Sequence, residues 1–150
     1  THCRPTSVSR SPFYFLSFFF QTKLSIAKME VCAVMNVMQE WGKGNYTNDK
    51  AEATTEATFA EDCVMDATAN VPTTDVYKKY TGRAAVIEWV KAIDVIDFGN
   101  FTPTLAGTDG NKVYLKTTYT PKMKANGKTV GEQADLHEWT VGADGKIAQV

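Results

Sequence analysis

Residues that bind metals or form disulfides are scarce in this chain of 150 residues. It contains three cysteines, Cys3, Cys32 and Cys63, and two histidines. There is no CxxC pair and no Cys/His cluster, so the pattern of a structural zinc site is absent. An odd, sparse set of cysteines is more typical of buried free thiols in a reducing compartment than of a disulfide framework. We therefore predict neither a metal site nor a cofactor site.

The chain also lacks an excess of positive charge. Its formal net charge is -1, and residues 1–28 hold four basic residues and no acidic one. The other 122 residues hold 12 basic residues against 17 acidic ones, without a basic patch. Because nucleic-acid binding depends on neutralising phosphates, we exclude nucleic acid as a partner.

The longest apolar run, Phe13 to Phe20, is interrupted only by Ser17. A helix needs about 20 apolar residues to cross a bilayer, so this run predicts no membrane span. It has the length of the hydrophobic region of a signal peptide, about 7 to 15 residues, and follows Arg4 and Arg10. The five serines and the absence of acids in residues 1–28 fit an organelle transit peptide equally well.

A second interpretation of residues 1–28 is a leader that does not belong to the mature protein. The chain does not begin with Met, and its first methionine, Met29, stands just before the first helical pattern. On either interpretation we predict that residues 1–28 lie outside the domain, which extends over residues 29–150. The protein is expected in the cytoplasm if it starts at Met29, and outside the cell or in an organelle if residues 1–28 are a targeting segment.

Three helices are predicted from apolar residues at spacings of three and four. The first begins at Met29 and ends at Trp41, before Gly42 and Gly44. The second, residues 48–59, is rich in Ala and Thr, and the third covers residues 83–96.

The remainder is predicted to form strands and turns. Residues 71–82 have the composition of a loop, and Asn126-Gly127 is typical of a hairpin turn. The final strand has barely begun at Val150, so we expect it to be truncated. Helices followed by antiparallel strands indicate the α+β class. The predicted strands are residues 63–69, 101–107, 112–120, 131–141 and 146–150.

Three stretches carry a resemblance to a known family. FAEDCVMDA (59–67), TGRAAVIEWV (81–90) and DLHEWTVGADGKI (135–147) are similar, in order and spacing, to motifs of the nuclear transport factor 2-like superfamily, in particular its SnoaL-like (polyketide cyclase-like) domains. The resemblance implies a cone-shaped α+β barrel, in which a curved antiparallel sheet wraps three helices around an apolar pocket. It also implies a homodimer formed through the outer face of the sheet.

The last of these stretches supplies the candidate catalytic residues. The resemblance puts His137 where isomerase-like members have a pocket carboxylate, and Asp135 lies two residues earlier. Residues two apart on a strand point to the same face, with backbones about 7 Å apart. A histidine exchanges protons near neutral pH and a neighbouring carboxylate tunes it, so the pair suits general acid-base chemistry. The alternative is a polar pair that only bridges strands.

Six further residues are predicted to line the pocket, because they fall on the inward faces of their elements. The alternative for the three tryptophans is simple core packing. For Tyr119 it is a structural hydroxyl contact. The predicted lining residues are Trp41, Met65, Trp89, Thr117, Tyr119 and Trp139.

Two positions depart from the enzymatic members. Val37 falls where the isomerases have a tyrosine donor, and Ala67 where they have the general base. Asp66 lies one residue early and is expected to point outward unless a bulge shifts the register. We predict a domain that binds a small apolar or oxygenated molecule, as a cyclase, isomerase or hydrolase would. The alternative is a non-catalytic interaction or dimerisation domain of the same fold, and the sequence does not decide whether the protein is an enzyme.

Overall fold

The first helix is longer than its apolar pattern predicts. The computed structural model describes the backbone of residues 15–43, 49–69 and 76–150. Helix α1 runs from Phe15 to Gly42, so it begins well before Met29 and ends at the predicted glycine. Its buried face comprises Val34, Val37, Met38 and Trp41. The assignment of residues 1–28 to a separate segment stays a prediction, and residues 1–14 lie outside the described residues.

No helix among the described residues is long and apolar enough to cross a membrane.

Helix α2, Asp49–Thr58, contacts α1 through small residues. Ala51 and Thr55 are its buried positions. The Nε1–H of Trp41 donates to Thr55 Oγ1 at 3.1 Å, and that hydroxyl donates to the carbonyl of Ala51 at 2.8 Å. The buried threonine is thus fully satisfied, which fixes Trp41 against α2.

Helix α3, Arg83–Ala92, continues into a 3-10 turn at Ile93–Val95. It starts after Gly82, whose φ of 88° is easily reached only without a side chain. The N–H of Gly82 donates to the carbonyl of Cys63 at 2.7 Å and so ties the start of the helix to the sheet. Cys63 is buried and free, as predicted, whereas Cys32 is disulfide-bonded, so the prediction of free thiols is wrong there.

Six strands form one sheet in the order β2-β1-β6-β5-β4-β3. Neighbours are antiparallel except β1 and β6, which are parallel. The first strand starts earlier than predicted because Phe59 belongs to the sheet rather than to α2, and β2 lies within the predicted loop. The strands are β1 (Phe59–Asp66), β2 (Lys79–Thr81), β3 (Ile96–Asp109), β4 (Lys112–Met123), β5 (Gln133–Val141) and β6 (Ile147–Gln149).

The register of β4 against β5 decides which side chains share the inner face. Val113, Leu115, Thr117 and Tyr119 are all buried, as the alternation predicts. Their partners on β5 are, in the same order, Trp139, His137, Asp135 and Gln133.

An irregularity in β3 adds two aromatic side chains to the interior. The register against β4 shifts between Gly99 and Thr102, and Asn100 between them has a φ of 55°. Residues three apart face opposite sides of a regular strand, but this bulge brings Phe98 and Phe101 within 6.2 Å of each other, measured between ring centroids.

The predicted α+β class, a curved sheet around three helices, is confirmed. The base of its core is an aromatic cluster in which Trp41 stacks on Phe59 at 5.7 Å and lies 5.9 Å from Trp139, between ring centroids. Trp139 and Phe59 are fully buried. Packed rings of this size exclude water from the part of the core that they fill.

Candidate functional site

A cavity of about 270 Å³ lies between the helices and the inner face of the sheet. Five of the six predicted lining residues border it: Trp41, Met65, Trp89, Thr117 and Tyr119. The sixth prediction is corrected. Trp139 is fully buried behind the cavity, because its indole packs into the cluster with Trp41 and Phe59.

Both candidate catalytic residues border the same cavity. They project from β5, and their side chains are 25% (His137) and 23% (Asp135) exposed. Partial burial of this kind leaves a polar group reachable by a ligand while it reduces screening by water.

A tyrosine completes the polar cluster. The hydroxyl of Tyr119 donates to Asp135 Oδ2 at 2.6 Å. His137 Nε2 lies 3.8 Å from the same oxygen, close enough for charge attraction but longer than a normal hydrogen bond. One carboxylate oxygen therefore faces both a neutral donor and an imidazole.

Asp135 and Tyr119 shift each other's pKa in opposite directions. Burial raises the pKa of Asp135, but the interactions with His137 and with the Tyr119 hydroxyl outweigh it and leave the pKa below the usual value. Burial, the hydrogen bond to Asp135 and the charge of that carboxylate all raise the pKa of Tyr119. At neutral pH, Asp135 is thus a carboxylate acceptor and Tyr119 a protonated donor.

Aromatic side chains that the sequence did not predict as lining hold Tyr119 in place. Its ring lies 5.2 Å from Phe98 and 6.4 Å from Phe101, between centroids, and both phenylalanines line the cavity. The one feature of the sequence that could have predicted these two lining residues is Gly99-Asn100. Both residue types tolerate the left-handed conformation at which a strand bulges.

Two polar atoms of the lining residues have no hydrogen-bond partner within the described part of the chain. They are Oγ1 of Thr117 and Nε1 of Trp89, and both are buried. Thr117 as a whole is fully inaccessible. Buried polar groups are normally paired, so these two atoms are unsatisfied at the cavity wall, as Nε1 of Trp139 is behind it.

The charged lining residues are all acidic. They are Asp66, Asp135 and Glu138, and no Lys or Arg of the described chain joins them. Glu138 is neutralised by Lys112 at 2.6 Å, and Asp66 Oδ1 accepts from the N–H and hydroxyl of Thr68. Asp135 is therefore the lining carboxylate whose neighbours, Tyr119 and His137, are themselves lining residues. Among the described residues, no three His, Cys, Asp or Glu side chains lie together as a metal site would require.

The two positions that the resemblance matched to the isomerase donor and base, Val37 and Ala67, hold side chains without a polar group. Val37 is fully buried in the core of α1 and does not border the cavity. Asp66 is exposed and engaged in the turn to Thr68, while Met65 is buried, as the strand alternation predicts. Ala67 borders the cavity and has no group that could act as a base.

Comparison with solved structures identifies the fold. A SnoaL-like protein from Jannaschia sp. CCS1 superposes with a TM-score of 0.64 at 15% identity, over 95% of this chain and 88% of that chain. A nuclear transport factor 2-like protein from Burkholderia xenovorans LB400 gives 0.63 at 18% identity, over 81% and 86%. The protein Rv0760c from Mycobacterium tuberculosis, in complex with estradiol-17beta-hemisuccinate, gives 0.58 at 15% identity, over 81% and 89%.

These similarities confirm the predicted nuclear transport factor 2-like, SnoaL-like fold. They are too remote in sequence to transfer an activity, because one fold carries many functions. No known protein-family profile matches the chain, and neither does any curated protein.

Proposed function

We propose that this protein binds a small, mainly apolar molecule in the cone, and that Asp135 and His137 act on its polar end. The observation that carries the proposal is the cluster of Tyr119, Asp135 and His137 on one wall of a cavity whose other lining is largely apolar. A mostly apolar cavity with a few convergent polar groups is the usual form of a ligand site. At about 270 Å³ it lies just below the usual size of ligand pockets, about 300–1,000 Å³.

In the catalytic version of this function, His137 exchanges a proton with the bound ligand. When His137 takes up a proton, the Asp135 carboxylate 3.8 Å away stabilises the resulting imidazolium. Tyr119 holds that carboxylate in place and keeps it ionised through its short hydrogen bond. Proton transfer of this kind is what isomerases, cyclases and epoxide hydrolases require.

Thermal-shift measurements test the binding part of the proposal. Purified protein is screened against apolar ketones, aromatic polyketides, sterols and epoxides, together with the variants His137→Ala and Asp135→Asn. We expect stabilisation by at least one class, reduced in both variants and unchanged in the control Asp109→Asn, because Asp109 is exposed at the end of β3. No stabilisation by any class, with His137→Ala indistinguishable from the parent, would refute it.

The second candidate is an interaction domain that dimerises through the outside of the sheet. Leu136 on β5 is 72% exposed, the highest value among the large hydrophobic side chains of the described residues. An exposed leucine on a sheet face is compatible with contact to a second copy of the chain. Sedimentation velocity at two concentrations tests this, with Leu136→Glu expected to shift a dimer to monomer. A parent protein that stays monomeric at both concentrations excludes it.

A further inference from the structure

Two buried threonines of this protein differ in one respect. Thr55 and Thr117 are both fully inaccessible. The hydroxyl of Thr55 accepts from Trp41 and donates to Ala51, whereas that of Thr117 has no partner in the described part of the chain. An unpaired buried hydroxyl destabilises a fold, so its presence in a cavity wall calls for a use other than stability.

We infer that the Thr117 hydroxyl, assisted by the Trp89 indole N–H, binds an oxygen acceptor of the ligand, and that this ligand is neutral. The inference rests on the proposed function, since it requires the cavity to hold a small molecule. A hydroxyl and an indole N–H can both donate to a carbonyl, ether or hydroxyl oxygen. Trp89 Nε1 is the other buried, unpartnered atom among the cavity-lining residues.

The position of Thr117 places that oxygen beside the proton-transfer groups. Thr117 on β4 is directly opposite Asp135 on β5. Directly opposed residues have Cβ atoms about 4.5–5.5 Å apart, so a ligand oxygen held by Thr117 lies within reach of the Asp135 and His137 side chains. The substrate class is thus a compact apolar molecule with an oxygen at the end that faces the β4–β5 wall.

Charge decides between neutral and anionic oxygens. No Lys or Arg lines the described cavity, and Asp135 is held ionised by its two neighbours. A ligand carboxylate at Thr117 would meet that negative charge at short range in a partly desolvated site. We expect the anion to bind on the order of tenfold more weakly than a neutral analogue of the same shape.

Three probes of nearly identical shape separate these effects: acetylnaphthalene, isopropylnaphthalene and naphthoate, each substituted at the same ring position. Dissociation constants are measured for the full chain and for Thr117→Val, which removes the hydroxyl and keeps the side-chain volume. We expect the ketone to bind best, and Thr117→Val to weaken the ketone by about threefold to tenfold and the hydrocarbon hardly at all. Trp89→Phe should weaken the ketone selectively as well.

The variants without ligand supply a second readout. Thr117→Val should melt at the same temperature as the parent or higher, because it removes an unpaired buried hydroxyl. Thr55→Val, the matched control, should melt lower, because it breaks two hydrogen bonds. A lower melting temperature for Thr117→Val would show that its hydroxyl is already paired and would overturn the inference.

The outcomes distinguish this inference from the proposed function. If none of the three probes binds the parent protein, this inference is overturned, whereas the proposed function is decided by the wider thermal-shift screen. If the hydrocarbon and the ketone bind equally and Thr117→Val changes both or neither, the cavity binds ligands but Thr117 does not hold their oxygen. Tighter binding of naphthoate than of the ketone would refute the preference for a neutral ligand.

Discussion

Replacing Tyr119 by Phe removes one hydroxyl from the cavity wall and keeps the ring between Phe98 and Phe101. The lost interaction is the 2.6 Å hydrogen bond to Asp135 Oδ2. Hydrogen bonds to charged groups contribute about 1.5–3 kcal/mol. Because the Asp135 side chain is 23% exposed, we expect a loss near the lower end, about 1.5 kcal/mol in the free energy of unfolding at pH 7. At roughly 2–4 °C per kcal/mol, the melting temperature should fall by about 3–6 °C.

The pH dependence of this loss tests its electrostatic origin. Burial raises the pKa of Asp135, but His137 and Tyr119 together lower it by more than burial raises it. The pKa in the folded protein therefore lies below the pKa in the unfolded chain. A group with a depressed folded pKa contributes stability above its unfolded pKa, about 3.9, and loses it as the pH falls through the folded value. The difference between the parent and Tyr119→Phe should therefore be full above about pH 5 and shrink below about pH 4.

Thermal melts of both proteins between pH 7 and pH 3 measure this difference. Tyr114→Phe is the matched control, since Tyr114 lies on the same strand and interacts with the exposed Glu138. That variant should cost less than about 0.5 kcal/mol, because exposed ion-linked contacts contribute little. A pH-independent difference for Tyr119→Phe, or one no larger than for Tyr114→Phe, would refute the role given to the buried hydroxyl.

Two further predictions concern the frame of the site. Gly42→Ala should lower the free energy of unfolding by about 1–3 kcal/mol in urea titrations, since its Cβ would overlap the ring of Phe101 in the cavity lining. Gly107→Ala, whose Cβ meets nothing within 4 Å, should change it by less than about 0.5 kcal/mol, and equal midpoints would contradict this packing. A chain starting at Met29, compared with the full chain in reducing buffer, should melt cooperatively within about 4 °C of it, because the described buried face of α1 starts later, at Val34. Loss of cooperative melting would place residues 1–28 inside the domain.

The periodicity of the sequence predicted the regular elements of this fold. In such an element, the position of a residue along the chain decides which face its side chain lies on. The inward set of β4 and the shared face of Asp135 and His137 follow from the alternation of a regular strand. The buried stripe of α1 follows from helical spacing in the same way. Where an element is regular, the local sequence is sufficient to orient its side chains.

Tertiary contacts decided what the local pattern could not. Phe59 directly follows α2 in the sequence, yet it pairs with Ile147 of β6, almost ninety positions along the chain, and so starts β1. Phe98 and Phe101 share the interior only because the strand bulges at Asn100. Trp139 has the inward orientation predicted for it, but its contacts with Trp41 and Phe59 place it behind the cavity wall. An inward residue borders the cavity only if no other side chain packs between it and the cavity. Strand alternation predicts the face of a residue but not which side chains pack around it.

The arrangement of polar groups limits the chemistry that this cavity can support. Thr117 and Tyr119 lie on β4, and Asp135 and His137 on β5, so four polar residues of the lining share two adjacent strands. The side formed by α1 and β1 presents the apolar side chains of Met38, Trp41 and Met65. The groups proposed for proton transfer, Asp135 and His137, would therefore act on one end of a ligand. This placement favours proton transfer at a single oxygenated end of the ligand, which is the chemistry proposed for Asp135 and His137.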